Sequence, residues 1–179
     1  MRVEKTAIEG VLLLTPRVFE DPRGFFLESW NQRVLDQLVG EHVTFVQDNR
    51  SRSVRGVLRG LHYQTEPHAQ GKLVSVLSGS IYDVAVDLRR ASPTYGKSLG
   101  IELKADSHTM IWIPAGFAHG FYVLSEFADV AYKATDFYSP AHERCIRWDD
   151  PDLAIDWPLG SHPPIVSAKD ADGLSFADV

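Results

Sequence analysis

The segment Arg59-Gly60-Leu61-His62-Tyr63-Gln64 places a cation, a flexible residue and an imidazole close together. An unperturbed imidazole titrates near ~6.5, which suits general acid–base work at neutral pH. In a regular strand Arg59 and His62 would point to opposite faces. Gly60 between them is expected to host a bulge or bend that aims both inward. A lone histidine is usually structural, so His62 needs company. Lys72 begins the next apolar run, within reach of His62 if the two segments are antiparallel neighbours. His119 sits in Pro114-Ala115-Gly116-Phe117-Ala118-His119-Gly120-Phe121, where the proline and glycines form a turn that delivers an imidazole to the start of a strand. Tyr132 alternates with Val130 and Ala134, so its ring shares a face with apolar neighbours; its plainer reading is a core tyrosine. Asp170 follows Lys169 in a tail without periodicity, where an aspartate is ordinarily solvated.

A second anomaly is electrostatic. Arg50, Arg52, Arg55 and Arg59 fall between Asn49 and Gln64 with no acid among them. Arginine's planar fork suits phosphate. The plainer reading is a solvated loop balanced by acids nearby.

The elements that must position these groups read as β-structure. Turn signals recur at roughly 8–12-residue intervals, the spacing of a sandwich or barrel. Gly24 to Trp30 reads as an aromatic-rich strand. A helix follows, with Asn31 as cap, Val34, Leu35 and Leu38 on one face and Gly40 as stop. Val43 to Asn49 returns to strand character. Lys72 to Leu77 and Ile81 to Leu88, joined by Ser78-Gly79-Ser80, read as a hairpin. In the second of these, Tyr82, Val84, Val86 and Leu88 share one face and Ile81, Asp83, Ala85 and Asp87 the other. Leu99 to Leu103 alternates, and Met110 to Ile113, His119 to Ser125 and Val130 to Asp136 supply further strands. No βαβ alternation occurs, which argues against a parallel sheet. After Trp148 the prolines 158, 163 and 164 make the tail extended. The expected fold is all-β: an antiparallel barrel or jelly roll with an arm at each end.

Composition bounds the function. At 179 residues the chain is expected to form one domain, 1–179, since domains run to roughly 150 residues. Lys+Arg of 18 against Asp+Glu of 24 gives a net charge of −6, a poor balance for general nucleic-acid binding. The single cysteine, Cys145, excludes an internal disulfide framework. No segment approaches the ~20 apolar residues that span a bilayer. Arg2, Glu4, Lys5 and Glu9 are the wrong preface for a secretory signal, so a soluble, cytoplasmic protein is expected, with neither nucleic acid nor membrane as partner.

Several blocks together resemble the dTDP-4-dehydrorhamnose 3,5-epimerase family. They are Phe19-Glu20-Asp21-Pro22-Arg23-Gly24-Phe25-Phe26, Val46-Gln47-Asp48-Asn49, Leu58 to Gln64, Gln70-Gly71-Lys72-Leu73-Val74, Ile113 to Phe121 and Ser167-Ala168-Lys169-Asp170. Each block alone is weak; their order and spacing are specific. The resemblance implies a cupin-like jelly-roll barrel with short peripheral helices and extended terminal arms, dimerising by strand exchange. It implies a dTDP-4-keto-6-deoxy sugar as substrate, epimerised at C3 and C5, with no cofactor and no metal. It matches His62 to the base, Asp170 to its carboxylate partner, Tyr132 to the acid on the opposite face and Lys72 to a cation beside the enolate. It matches Arg59 and His119 to the diphosphate and sugar, and Gln47 and Asn49 to the nucleotide. Tyr138 matches an aromatic stacked on the base, and Glu143 and Lys169 further positions lining the site. Arg23 and Glu28 match residues that a partner subunit contributes.

Three other functions compete. A C3-only or C5-only epimerase on another dTDP-4-keto sugar would use the same base and acid. A metal-dependent cupin enzyme would draw on His62, His68 and His119, but the clustered His-x-His with a following glutamate is missing around His62. A non-catalytic nucleotide-sugar binding module would need Arg59, Tyr138 and Gln47, yet not His62, Tyr132 and Lys72 together.

Overall fold

The computed structural model describes residues 1–40 and 42–179. The strands, in chain order, are β1 (Arg2–Lys5), β2 (Leu12–Thr15), β3 (Val18–Asp21), β4 (Gly24–Leu27), β5 (Gln47–Val54), β6 (Leu58–Gln64), β7 (Lys72–Ser78), β8 (Ser80–Asp87), β9 (Ser98–Lys104), β10 (Met110–Ile113), β11 (Phe117–Val123), β12 (Phe127–Ala134) and β13 (Glu143–Cys145). Two short helices, α1 (Gln32–Val39) and α2 (Ala168–Ala171), lie outside the sheets. A six-stranded sheet runs β1-β2-β10-β7-β12-β5, a five-stranded sheet runs β13-β6-β11-β8-β9, and β3 and β4 pair apart from both. All of these ladders are antiparallel.

The two large sheets face each other as an all-β jelly roll. Val74, Val76 and Val130 from one sheet meet Ile81, Ala85, Phe121 and Val123 from the other. A second apolar layer covers the outside of the five-stranded sheet, where the tail residues Leu153 and Trp157 pack on Leu58, Leu61, Val84 and Val86. Burial on both faces explains why β8 shows no wet side: Val84 and Val86 pack under the tail, and Ile81 and Ala85 face the opposite sheet. A third layer sets Leu35 of α1 and Val43 on Leu12, Leu14, Leu73 and Trp112, outside the six-stranded sheet. The helix itself has the expected ends. The Asn31 side chain accepts from the Val34 N–H at 3.3 Å, and Gly40 closes the helix at φ +86°.

Four local expectations change. The segments on either side of Gly79 are not a hairpin: β7 lies in the six-stranded sheet and β8 in the five-stranded one. Gly79 is instead a corner, with φ +78° and the Phe127 carbonyl oxygen 2.1 Å from where a Cβ would stand. The strand expected from Val43 begins only at Gln47 and runs on to Val54. It therefore takes in Arg50 and Arg52, which lie on an edge strand and not in a loop. Their balancing acid is Asp129 on the neighbouring β12, which Arg52 grips at 2.8 and 2.6 Å. The aromatic strand ends at Leu27, and Trp30 turns back to pack edge-on against Phe45.

The arms are present. The N-terminal one is the β3–β4 hairpin. The C-terminal one is stitched along its length: Leu58 N–H donates to Ile165 at 2.9 Å, Ile165 N–H to Gly56 at 2.8 Å, and Leu174 N–H to Cys145 at 2.8 Å.

Candidate active site

β6 and β11 pair out of step. His119 stands opposite His62, but Phe121 stands opposite Arg59. Two steps on one strand answer three on the other, so β6 carries one extra residue, and Arg59 and His62 come to the same side. Gly60 makes this possible. Its φ is +118°, and a Cβ there would lie 2.6 Å from the Gly120 Cα and 2.7 Å from the His119 carbonyl oxygen. Only glycine tolerates both the conformation and the approach.

His62 is half-buried, and its Nε2 lies 2.6 Å from Oδ1 of Asp170, which is 3% exposed. Burial pushes the Asp170 carboxyl up, but the His62 contact, the Ser167 hydroxyl and a Gly60 backbone bond outweigh it and hold the pKa below the usual range. Asp170 is therefore ionised and only accepts, so Nε2 carries the proton and Nδ1 keeps its lone pair. The aperiodic tail can place an aspartate this firmly because its backbone is pinned before and after α2, and Ser167 caps that turn by accepting from the Asp170 N–H at 3.2 Å.

Lys72 opens β7, almost fully buried, with Nζ 3.3 Å from the His62 carbonyl oxygen. Burial drives its pKa down to about 8, against the opposing pull of Asp83 and Glu143. Asp83 is wholly buried on β8 and binds His119 Nε2 through Oδ2 at 2.8 Å. Tyr132 stands on β12, in the sheet opposite His62, partly packed against the core. Burial raises its phenol pKa although the Arg59 charge opposes this, so the hydroxyl keeps its proton. Arg59 is itself steered by Ser53, to whose hydroxyl its Nε donates at 2.9 Å.

His62, Lys72 and Tyr132 line one cavity of about 220 Å³, with Gln47, Asn49, Tyr138 and Glu143 around it. The rim is wired together. Tyr138 O–H donates to Glu143 at 2.7 Å, Glu143 pairs with Lys169, Gln47 accepts from the Tyr138 N–H at 2.9 Å and Gln47 donates to Asn49 at 3.0 Å. A larger cleft of about 440 Å³ on the outer face of the six-stranded sheet touches Tyr132 and Asn49 but holds neither His62 nor Lys72. The arrangement offers an imidazole on one wall, a protonated phenol on the other and a lysine between. Those are the parts needed to remove a proton beside a carbonyl and return it from the far side.

Arg23 and Glu28 are not brought to this cavity. Arg23 sits at the tip of the β3–β4 hairpin, paired with Asp21 and exposed, and Glu28 follows the hairpin, also exposed. The three histidines of the metal-enzyme reading are drawn to three separate carboxylates: His62 to Asp170, His68 to Asp136 and His119 to Asp83. Sequence reasoning did not single out Asp83, though an acid on the apolar Ile81–Ala85 face was a usable signal. Nor did it single out Gln64, whose side chain holds the Tyr138 loop by accepting from Ser139 N–H at 2.8 Å and donating to the Phe137 carbonyl at 3.2 Å.

This fold and site define a class, the cupin-like jelly-roll isomerases of nucleotide sugars. Residues 5–178 match the profile of dTDP-4-dehydrorhamnose 3,5-epimerase. A dTDP-4-dehydrorhamnose 3,5-epimerase of Pseudomonas aeruginosa is 58% identical over 178 residues, 99% of this chain and 97% of that protein. The crystal structure of dTDP-4-dehydrorhamnose 3,5-epimerase from Elizabethkingia anophelis superposes with a TM-score of 0.96 at 47% identity, covering 99% of this chain and 97% of that one. A dTDP-6-deoxy-D-glucose-3,5-epimerase from Legionella pneumophila, solved in complex with dTDP-4-keto-L-rhamnose, gives 0.92 at 51% identity, covering 96% and 90%. The chain belongs to the dTDP-4-dehydrorhamnose 3,5-epimerase family. No helix among the described residues is long and apolar enough to cross a membrane.

Proposed function

We propose that the chain, acting as one domain, epimerises C3 and C5 of dTDP-4-dehydro-6-deoxy-glucose to give dTDP-4-dehydro-L-rhamnose. The C4 ketone acidifies the neighbouring C–H bonds. Nδ1 of His62 takes the proton, and the carbon–hydrogen electron pair moves into the enolate. Asp170 steadies the imidazolium through Nε2–H. Lys72 supplies positive charge beside the enolate oxygen. Tyr132 delivers a proton to the opposite face, and the carbonyl re-forms with inverted configuration. The observation that carries this reading is the His62–Asp170 pair opening on the same cavity as Tyr132 and Lys72, with base and phenol on opposed sheets.

Arg59 and His119 are assigned to the diphosphate and sugar. Gln47, Asn49, Tyr138, Glu143 and Lys169 are assigned to the nucleotide and the rim. Arg23 and Glu28 serve a neighbouring subunit in a homodimer formed by strand exchange. Phe19, Phe25 and Phe26 support this, being 50%, 62% and 69% exposed on one small hairpin, more apolar surface than a lone ribbon leaves open. The one cysteine, free and buried, suits a reducing cytoplasm.

The test is Tyr132→Phe in heavy water, followed by NMR at C3 and C5. The variant keeps His62 and Lys72, so deuterium wash-in is expected to persist while inverted product falls. Equal loss of both defeats the two-face assignment.

A further inference from the structure

We propose that His62, Asp170 and Cys145 form an inhibitory site for a borderline-soft divalent cation of the Zn²⁺ type. Cys145 is the cross-strand partner of His62 on β13. One ligand atom from each of the three residues lies within 4.8 Å of the others. The individual separations are 2.6 Å from Nε2 to Asp170 Oδ1 and 3.8 Å from Cys145 Sγ to the same oxygen. With Zn–N, Zn–O and Zn–S bonds of roughly 2.0, 2.1 and 2.3 Å, tetrahedral coordination sets these edges at roughly 3.4 and 3.6 Å. The His62–Asp170 pair must open by less than an ångström, and the sulfur–oxygen separation is already close to the tetrahedral edge. Nitrogen, oxygen and sulfur in one set is a Zn²⁺-type donor combination, with a fourth position left for water. Asp170 and Cys145 are buried, and His62 opens onto a cleft of about 420 Å³ lined by Arg59, Ser167 and Lys169, which gives a path in.

The chemistry dictates how such an ion inhibits. In the metal-free site the thiol holds its proton, Nε2 holds the imidazole proton and Asp170 is ionised. The metal takes the Nε2 lone pair, so the imidazole proton moves to Nδ1. It takes the sulfur as thiolate, and that proton leaves to solvent. Atoms and charge balance with one proton released per ion. Nδ1 now carries hydrogen and cannot accept one from carbon, while the substrate cavity stays open.

The inhibition rests on His62 being the base; the metal site itself does not. Purified, metal-free enzyme is titrated with CoCl2 without substrate, and a thiolate-to-cobalt charge-transfer band is recorded. ZnCl2 is then added in weak buffer to count protons, and the rate of exchange is measured across substrate concentrations. The proposal expects the band, one proton released, a fall in kcat with KM kept, and recovery with a chelator. Cys145→Ser and Cys145→Ala, each compared with its own metal-free rate and checked for fold by thymidine diphosphate binding, should lose the band. They should need at least tenfold more Zn²⁺ for half-inhibition. No band, inhibition indifferent to both variants, or a rise in KM alone overturns the proposal. A band and a released proton with kcat intact overturn the inhibitory claim and count against His62 as base, leaving the metal site standing.

Discussion

Lys72→Met keeps the length of the side chain and removes its charge. Lys72 is buried, and its pKa falls from 10.5 to about 8 because burial disfavours the ammonium. At 1.36 kcal/mol per pH unit, holding that charge costs about 3 kcal/mol of folding stability at neutral pH. The sign follows from proton counts. Between pH 8 and 10.5 the unfolded lysine keeps its proton and the folded one has lost it, so the unfolded state binds more protons and wild-type stability rises with pH from this residue. The variant, lacking the group, has no such term. Urea denaturation at one fixed protein concentration should therefore find Lys72→Met more stable than wild type at pH 7, by up to about 3 kcal/mol less the lost charged hydrogen bond to the His62 carbonyl, about 2 kcal/mol. The gap should close as pH climbs from 8 towards 10.5. Heavy-water exchange should fall by about 10² or more in the same variant, because the enolate loses its nearest cation. In wild type, kcat should decline as pH passes about 8. A gap in stability that does not change with pH, or a variant that retains full activity, would refute the reasoning.

His62→Ala should lower exchange at both carbons by about 10²–10⁴ while thymidine nucleotide affinity, measured by calorimetry, is retained. Asp170→Asn should lower kcat over a similar range with KM little changed, since an amide can donate to Nε2 and leave the proton on Nδ1; equal activity in steady-state kinetics would remove Asp170 from the mechanism. Gly60→Ala should destabilise by about 2–4 kcal/mol in urea, because its Cβ meets backbone on β11 at 2.6 and 2.7 Å. Phe26→Asp on the exposed hairpin should convert a dimer seen by light scattering into monomer and weaken nucleotide binding; a wild-type monomer with full activity defeats the strand-exchange proposal.

Local patterning revealed what local physics decides. The helix was readable from Asn31 to Gly40 because both ends are capped by side-chain and backbone rules that act within one turn. β10 was readable residue for residue from its four apolar positions. The corner at Gly79 was not, because a tight turn between two apolar strands says nothing about which sheet each will join. The start of β5 was misplaced for a related reason. Val43 is apolar since it packs under α1, while Arg50 and Arg52 form strand because Asp129, far along the chain, receives them. Asp170 lies in a segment ordered by long-range bonds, among them those to Gly56, Leu58 and Cys145, so no periodicity in the tail announces it; only resemblance to a family pointed there. Cys145 carried no signal at all, since its position across from His62 is a fact of register.

Inversion needs two faces, and a sandwich of two sheets supplies them without moving parts. His62 stands on β6 and Tyr132 on β12, each fixed by its own ladder, so their opposition is a property of the core and not of a loop. What the sheets do not supply is the carboxylate beside His62, because an acid on an inner strand face gives up water and must find every bond it needs among its neighbours. Asp83 shows the difficulty: it is wholly buried, one oxygen satisfied by His119 and the other without a partner among the described residues. The tail solves it for His62. α2 brings Asp170 in from outside, with Ser167 and the Gly60 backbone ready to bond it, and the carboxylate stays ionised despite burial. Lys72 and Gly60 are where stability is given up, and the apolar layers on both faces of each sheet are what make that loss tolerable.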